Sequence, residues 1–258
     1  MPANSPLILL TNDDGYASEG LTALREAIDG LGEVWVVAPA TEQSAISHAI
    51  TLWDPIRITE HAERVYSVTG TPTDCVYVAV NHVLSRRPDL CISGINHGAN
   101  LGDDVMYSGT VAGAAEACLF DIPAVAVSLA SYRSRTFQVA AAAARRIATS
   151  VLRRGLPRGV FLNVNVPRDA TAASDIAITK LGRRTYGTKV TEKLDPRNRS
   201  YYWIGGSELG FDDIPGSDCN AIARNHISVS PVHVDMTHYR FMRELAEWSE
   251  LTEENDHE

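Results

Sequence analysis

The stretch that decides the fold is Leu7-Ile8-Leu9-Leu10-Thr11-Asn12-Asp13-Asp14-Gly15. Four apolar residues run into a polar, acidic turn closed by glycine, which is the pattern of a buried strand in a parallel sheet. Open α/β sheets bind ligands at the carboxyl ends of such strands. The adjacent carboxylates Asp13 and Asp14 therefore stand where a binding site is expected. Side by side they repel each other and require a compensating charge. A hard divalent cation that prefers oxygen ligands, Mg²⁺ or Mn²⁺, supplies it. Taken alone, Asp-Asp-Gly reads more plainly as a solvated turn with a helix N-cap, so the rest of the chain has to decide.

Outward from this strand, Leu21, Leu24, Ile28 and Leu31 recur at helical spacing, and Gly32 ends the helix. Val34 to Ala38 forms a second strand stopped by Pro39, which completes a right-handed βαβ unit. Residues 51–70 read as short β segments. Thr71 and Pro72 fit the N-cap and first position of a helix with Val76, Val80, Val83 and Leu84 on its apolar face. Strands follow at Asp89–Ser93, Ile122–Ser128 and Phe161–Pro167, with alanine-rich helices at Val111–Phe120 and Thr136–Leu152. The alternation predicts an α/β fold with a doubly wound, mostly parallel sheet.

From about residue 170 the character changes. Residues 182–204 interleave basic and aromatic side chains, among them Arg183, Arg184, Tyr186, Tyr201, Tyr202 and Trp203, with partial alternation. This predicts a protruding β-hairpin arm, and Tyr, Trp and Arg are typical anchors on a second subunit. A short helix over 217–225, a strand over Ile227–Val234 and a helix over Thr237–Trp248 follow. The expected organisation is a catalytic domain over 1–170. Arm and oligomerisation elements over 171–248 complete the same domain, and an acidic, disordered tail spans 249–258.

Composition narrows the function. The 258 residues are 45% hydrophobic and 21% charged, enough for a sizeable core, and the formal net charge is -9. An acidic chain is poorly suited to a nucleic-acid polymer or an anionic membrane, although a metal and backbone N–H groups still hold a small phosphate. Cys75, Cys91, Cys118 and Cys219 form no CxxC and read as buried free thiols. The first residues lack the basic and apolar regions of a signal peptide, and no apolar run reaches membrane-spanning length. A cytoplasmic protein is expected.

Two further loops carry polar groups to the same sheet edge. Residues 39–50 hold Ser44, Ser47 and His48, where His48 is either a structural histidine or a site residue. Residues 93–102, Ser-Gly-Ile-Asn-His-Gly-Ala-Asn-Leu-Gly, offer the amides of Asn96 and Asn100 between glycines that admit close approach. Tyr107-Ser108-Gly109-Thr110 then opens a helix, where hydroxyls and free N–H groups either cap the helix or receive an anion.

The ordered set of 11–15 (Thr-Asn-Asp-Asp-Gly), 38–45 (Ala-Pro…Gln-Ser-Ala), 70–76 (Gly-Thr-Pro-Thr-Asp-Cys-Val), 93–100 and 107–114 (Tyr-Ser-Gly-Thr-Val-Ala-Gly-Ala) closely resembles the SurE family. That family comprises metal-dependent nucleoside monophosphate phosphatases. Residues 195–206 and 228–237 resemble it too, so the likeness spans nearly the whole chain. The resemblance implies a Rossmann-like domain with a protruding arm and C-terminal exchange elements that build homodimers or homotetramers. It implies one divalent metal ion per subunit, with Asp13, Asp14, Ser44 and Asn96 as ligands. It places Ser108, Gly109 and Thr110 on the phosphate, with Asn12 and Asn100 nearby, and raises His48, where the family commonly has His, to a catalytic candidate. The family often carries Arg where this chain has Gln43, and it varies at His97.

The expected reaction is hydrolysis of a nucleoside 5′-monophosphate to nucleoside and inorganic phosphate by metal-activated water. Ser108 to Thr110 would stabilise the phosphoryl oxygens. Attack by a carboxylate through an aspartyl-phosphate is the alternative chemistry. 3′-Monophosphates and short polyphosphate stand open as further substrates. A non-catalytic nucleotide-binding module would not need the metal set. A dinucleotide-dependent oxidoreductase would need a G-x-G-x-x-G turn that residues 12–16 lack.

Overall fold

β1 (Leu7–Thr11) is buried along its whole length, and its alternating side chains feed two cores. Ile8 and Leu10 pack with Leu21, Leu24 and Ile28 of α1 (Glu19–Ile28) and with Ala140, Ala144 and Ala148 of α4 (Gln138–Arg154). Leu7 and Leu9 face the opposite side, toward Cys75 and Val76 of α2 (Pro72–Val78) and Val111, Ala114 and Ala117 of α3 (Gly109–Leu119). A strand buried on both faces has no use for the polar alternation of an exposed sheet, which is why its sequence is continuously apolar. The computed structural model describes residues 5–131, 136–186, 190–204, 209–248 and 251.

The remaining sheet strands are β2 (Glu33–Pro39), β3 (Ile58–Ala62), β4 (Val65–Val68), β5 (Leu90–His97), β6 (Ala124–Ala130), β7 (Val160–Pro167), β8 (Ile176–Ile178) and β13 (Ile227–His233). Together with β1 they form one sheet in the order β3-β4-β2-β1-β5-β6-β7-β13-β8. Its centre is parallel, and antiparallel pairs occur at β3–β4 and β7–β13. From β1 the chain winds outward through β2 and β4, then returns to place β5 on the other side of β1. The direction of winding therefore reverses between β1 and β5, and their carboxyl ends flank the crevice where such sheets bind ligands.

Several elements differ from the sequence expectation. β5 runs on to His97 rather than stopping at Ser93, and its pairing with β6 shifts register between Ser93 and Asn96. Gly94 makes this possible. Its φ is +140°, and a Cβ there would lie 2.3 Å from the Val127 carbonyl oxygen. α2 keeps its Thr71 cap but gives way to a π-helical turn over Ala79–Val83. α4 begins two residues later than expected, and α6 (Tyr239–Leu245) is shorter at both ends. α5 (Asp218–Ala223) falls within its expected range.

The arm is the expected hairpin, seen as two antiparallel stretches among the described residues. β9 (Arg184–Tyr186) pairs antiparallel with β12 (Leu209–Phe211) at the base, and β10 (Val190–Leu194) with β11 (Ser200–Ile204) beyond it. It thus reaches to residue 211, past the expected end at 204. Apart from Leu251, the acidic tail expected over 249–258 lies outside the described residues. All four cysteines are free and buried. Among the described residues, no helix is long and apolar enough to cross a membrane.

Candidate active site

Asn12, Asp13 and Asp14 leave the tip of β1 in three different directions. Asn12 turns back into the chain, donating to the Gly15 carbonyl at 3.0 Å and to Ser18 Oγ at 2.7 Å. It thereby shapes the turn into α1, and its own Oδ1 is buried without a partner among the described residues. Asp13 points toward α3, where it is 4% exposed and accepts a hydrogen bond from the Thr110 hydroxyl. Asp14, half-buried, turns to the other side and accepts from the His97 backbone N–H at 3.3 Å.

The neighbouring loops close on this pair. Gln43 N–H donates to the Asp13 carbonyl at 2.7 Å, which brings Ser44 beside the acidic turn. Ser44 itself is exposed, and its hydroxyl donates to Glu42 at 2.7 Å. Asn96 sits at the end of β5 next to the residue that binds Asp14, and its Nδ2 donates to the Gly98 carbonyl at 3.0 Å. Its amide oxygen is the atom left for a cation. Ser47 N–H donates to the Tyr107 carbonyl at 3.0 Å, so the 44–48 loop rests on the segment that opens α3. Within that loop Ala45 and Ser47 hold φ values of 57° and 58°, the backbone strain often stored at functional sites.

At the start of α3, Ser108 is the N-cap and accepts from Val111 N–H at 3.1 Å. Gly109 is glycine because a Cβ there would stand 2.8 Å from the Asp13 side chain. The helix N-terminus is thus pressed against Asp13, which also accepts from the Thr110 backbone N–H. His48 lines a cavity together with Ser108, and its Nε2 lies 2.8 Å from Glu116 of α3.

The electrostatics follow from burial. Desolvation pushes the Asp13 carboxyl up from 3.8 to about 6; the Thr110 hydrogen bond opposes this and the Asp14 charge adds to it. Burial also raises Asp14, aided by the charge of Glu42 and opposed by the His97 N–H. Neither carboxylate has a Lys or Arg ion pair among the described residues. Two uncompensated carboxylates beside amide and hydroxyl oxygens fit a hard divalent cation. Among the described residues no cluster of three or more His, Cys, Asp and Glu could hold a metal. A cation here would therefore rest on Asp13 and Asp14 plus the neutral oxygens of Asn96 and Ser44.

Asn100 is drawn inward. Its Nδ2 donates to Ser128 Oγ at 2.8 Å, its N–H donates to Asn165 Oδ1 at 2.8 Å, and its carbonyl accepts from Asn163 and Asn165 at 2.9 Å each. It anchors the loop leading to Ser108. Sequence reasoning missed the residues that hold it. The signal was present, since Asn163 and Asn165 alternate on one face of a strand otherwise filled with apolar residues. Asp218 was also missed. Fully buried, it accepts from Gly102 N–H at 2.9 Å and Gly182 N–H at 2.7 Å, tying the base of the arm to the turn before Ser108. No local sequence signal marks it.

Adjacent acids and a helix N-terminus meet at the reversal point of a mainly parallel sheet, which makes this a Rossmann-like α/β protein. A family model described as "Survival protein SurE" matches residues 8–188. The chain is 53% identical over 243 residues to the 5′-nucleotidase SurE of Myxococcus xanthus, covering 93% of this chain and 92% of the relative. It is 52% identical over 244 residues to the 5′-nucleotidase SurE of Citrifermentans bemidjiense, covering 93% and 98%. The crystal structure of the SurE protein from Aquifex aeolicus superposes with a TM-score of 0.86 at 38% identity, covering 96% of this chain and 100% of that one. The chain belongs to the SurE family.

Proposed function

We propose that this chain is a divalent-metal-dependent phosphatase that hydrolyses nucleoside 5′-monophosphates to nucleoside and inorganic phosphate. One observation carries the site assignment: among the described residues the buried Asp13 carboxylate has no basic partner, and it is bonded to Thr110 at the N-terminus of α3. The same contact joins a cation-seeking group to an anion-receptive one, the pairing a phosphate monoester with its metal needs. The relatives named 5′-nucleotidase support the substrate class.

One Mg²⁺ or Mn²⁺ ion per subunit, held by Asp13, Asp14, Asn96 and Ser44, would neutralise phosphoryl charge and make water more acidic. The chain's own residues do the rest. The Gly109 N–H and the side chain of Ser108 receive the phosphoryl oxygens at the positive end of α3, while Thr110 holds Asp13 beside them. Asn12 shapes the turn that carries both carboxylates, and Asn100 holds the loop on which Ser108 stands. His48 lines a cavity with Ser108, which supports giving it the leaving oxygen. Water attacks phosphorus as the nucleoside oxygen departs.

The exposed arm and α6 are read as packing on further copies of the chain, as a homodimer or homotetramer acting in the cytoplasm. Phosphate release from AMP and GMP with Mg²⁺ or Mn²⁺, abolished by EDTA and restored by metal, is the expected result. Nucleotide binding without phosphate release would replace the enzyme by a binding module.

A further inference from the structure

Glu116 is the one carboxylate within the alanine-rich helix α3, and the phosphatase chemistry described above does not use it. Its side chain is 11% exposed, and its neighbours Ala112 and Ala115 on the same helix line an apolar cavity of about 150 Å³ with Val111, Phe161 and Val232. A carboxylate in such surroundings destabilises the fold unless it is paired. Its partner is His48 Nε2 at 2.8 Å. A carboxylate only accepts, so the Nε2–H of His48 donates to it and Nδ1 is the ring nitrogen left over. The ring belongs to a loop fixed on the phosphate-receiving segment in two places. Ser47 N–H donates to the Tyr107 carbonyl, and Ile46 packs against Gly109, where an added Cβ would come within 3.2 Å of its Cγ2. His48 and Ser108 line the same cavity.

We infer that Glu116 is a positioning residue that holds His48 as the proton donor to the leaving nucleoside oxygen. The inference rests on the phosphatase reading and extends it to the departure step. A water oxygen bonds to phosphorus and gives up one proton to solvent. The P–O5′ bond breaks with its electron pair on the ester oxygen. The His48 imidazolium passes its Nδ1 proton to that oxygen, giving the nucleoside hydroxyl and hydrogen phosphate, and the ring regains a proton from solvent. Glu116 fixes which nitrogen faces the substrate, the role a third group plays behind a catalytic histidine. Of the described residues lining the cavity, the other titratable group is His233.

The test compares two substrates whose leaving groups differ in need. The nucleoside alkoxide requires a proton, whereas p-nitrophenolate leaves without one. Glu116→Gln keeps shape and removes charge. It is expected to lower kcat on AMP by about tenfold to a hundredfold, part of what a positioned proton donor contributes, with p-nitrophenyl phosphate changed less than about threefold. His48→Gln is expected to show the same split. The double variant should be no worse than His48→Gln alone, because Glu116 acts through His48. Equal losses on both substrates, additive losses in the double variant, or unchanged AMP turnover would overturn the inference. If Glu116→Gln does not fold, ¹⁵N NMR of the wild-type His48 ring decides instead. A proton held on Nε2 supports the dyad, and a neutral ring protonated on Nδ1 overturns it. A wild type that releases no phosphate from either substrate fails the phosphatase reading, and the dyad falls with it. Normal wild-type turnover with no leaving-group split fails the dyad alone.

Discussion

At the tips of β1 and β5 the chain buries polar groups, while along β11 and α6 it exposes apolar ones. Thr11, Asn12, Asp13, Ser93, Asn100, Ser108 and Thr110 are all below a tenth exposed. Trp203 is 63% exposed, Ile204 92% and Met236 78%, and α6 buries no residue at all. Both arrangements are unfavourable in an isolated chain. A buried carboxylate without a counter-charge seeks a cation, and a contiguous apolar surface seeks another surface. The difference lies in what completes each region. On the reading proposed above, small ions and substrate would complete the site, and a further copy of the chain would cover the arm and α6. Substitutions should therefore separate catalysis from assembly.

The largest separation is expected at Asp13. Asp13→Asn removes half the ligand charge while keeping an oxygen that can accept from Thr110. Phosphate release from AMP should fall by about a thousandfold or more, the scale on which principal electrostatic groups act. The mass from light scattering should not change. Full turnover at saturating Mg²⁺ or Mn²⁺ would show that the acidic pair is not the site. Next comes Thr110→Val, which keeps shape but removes the hydroxyl that touches Asp13. A loss of about tenfold to a thousandfold in kcat is expected if that group acts mainly in the transition state. A raised KM with unchanged kcat would instead assign it to ground-state binding.

The contrast also explains how much was legible in the sequence. The β1 tip was readable because a strand buried on both faces shows as a continuous apolar run, and a polar turn then stands out against it. The Ser-Gly-Thr start of α3 was readable because capping and anion binding use the same residue types. The continuation of β5 to His97 was not. Gly94 and Asn96 look like loop residues, and they stay in the sheet only because Gly94 lets β5 lie against the Val127 carbonyl. The inward turn of Asn100 was equally hidden, since its partners Asn163 and Asn165 lie more than sixty residues away. The arm's outline was visible in its aromatics. Its reach to residue 211 was not, because β12 is three residues long, too short to show alternation.

At the arm the effects should reverse. Trp203→Ser combined with Ile204→Ser removes exposed apolar area from β11 and leaves the Asp218 tie at the arm's base intact. The assembled mass in light scattering should drop, with AMP turnover per chain within about threefold of wild type, because exposed apolar anchors contribute mainly to association. A variant that disassembles and also loses turnover on the scale of Asp13→Asn would show that a second chain completes the site. A variant with unchanged mass would remove β11 from the interface.

The last difference is read in stability alone, without catalysis. The Asp13 carboxyl titrates near 6 in the folded chain, against an ordinary 3.8. The folded state therefore binds more protons than the unfolded state between those values, and wild-type stability declines as pH rises through that window. Below about pH 4 the carboxyl is protonated in both states and the penalty is absent. Above about pH 6 it is fully present, and two pH units correspond to about 3 kcal/mol. Asp13→Asn cannot ionise and escapes the penalty. In EDTA the variant should match wild type near pH 4 and exceed it at pH 8, by up to that amount, in urea unfolding. Saturating Mg²⁺ or Mn²⁺ at pH 8 should invert the order, because only wild type gains from binding by mass action. A variant less stable than wild type at pH 8 in EDTA would mean that the carboxylate already has its counter-charge within the chain. The buried acids would then be structural, and the contrast between site and arm would rest on assembly alone.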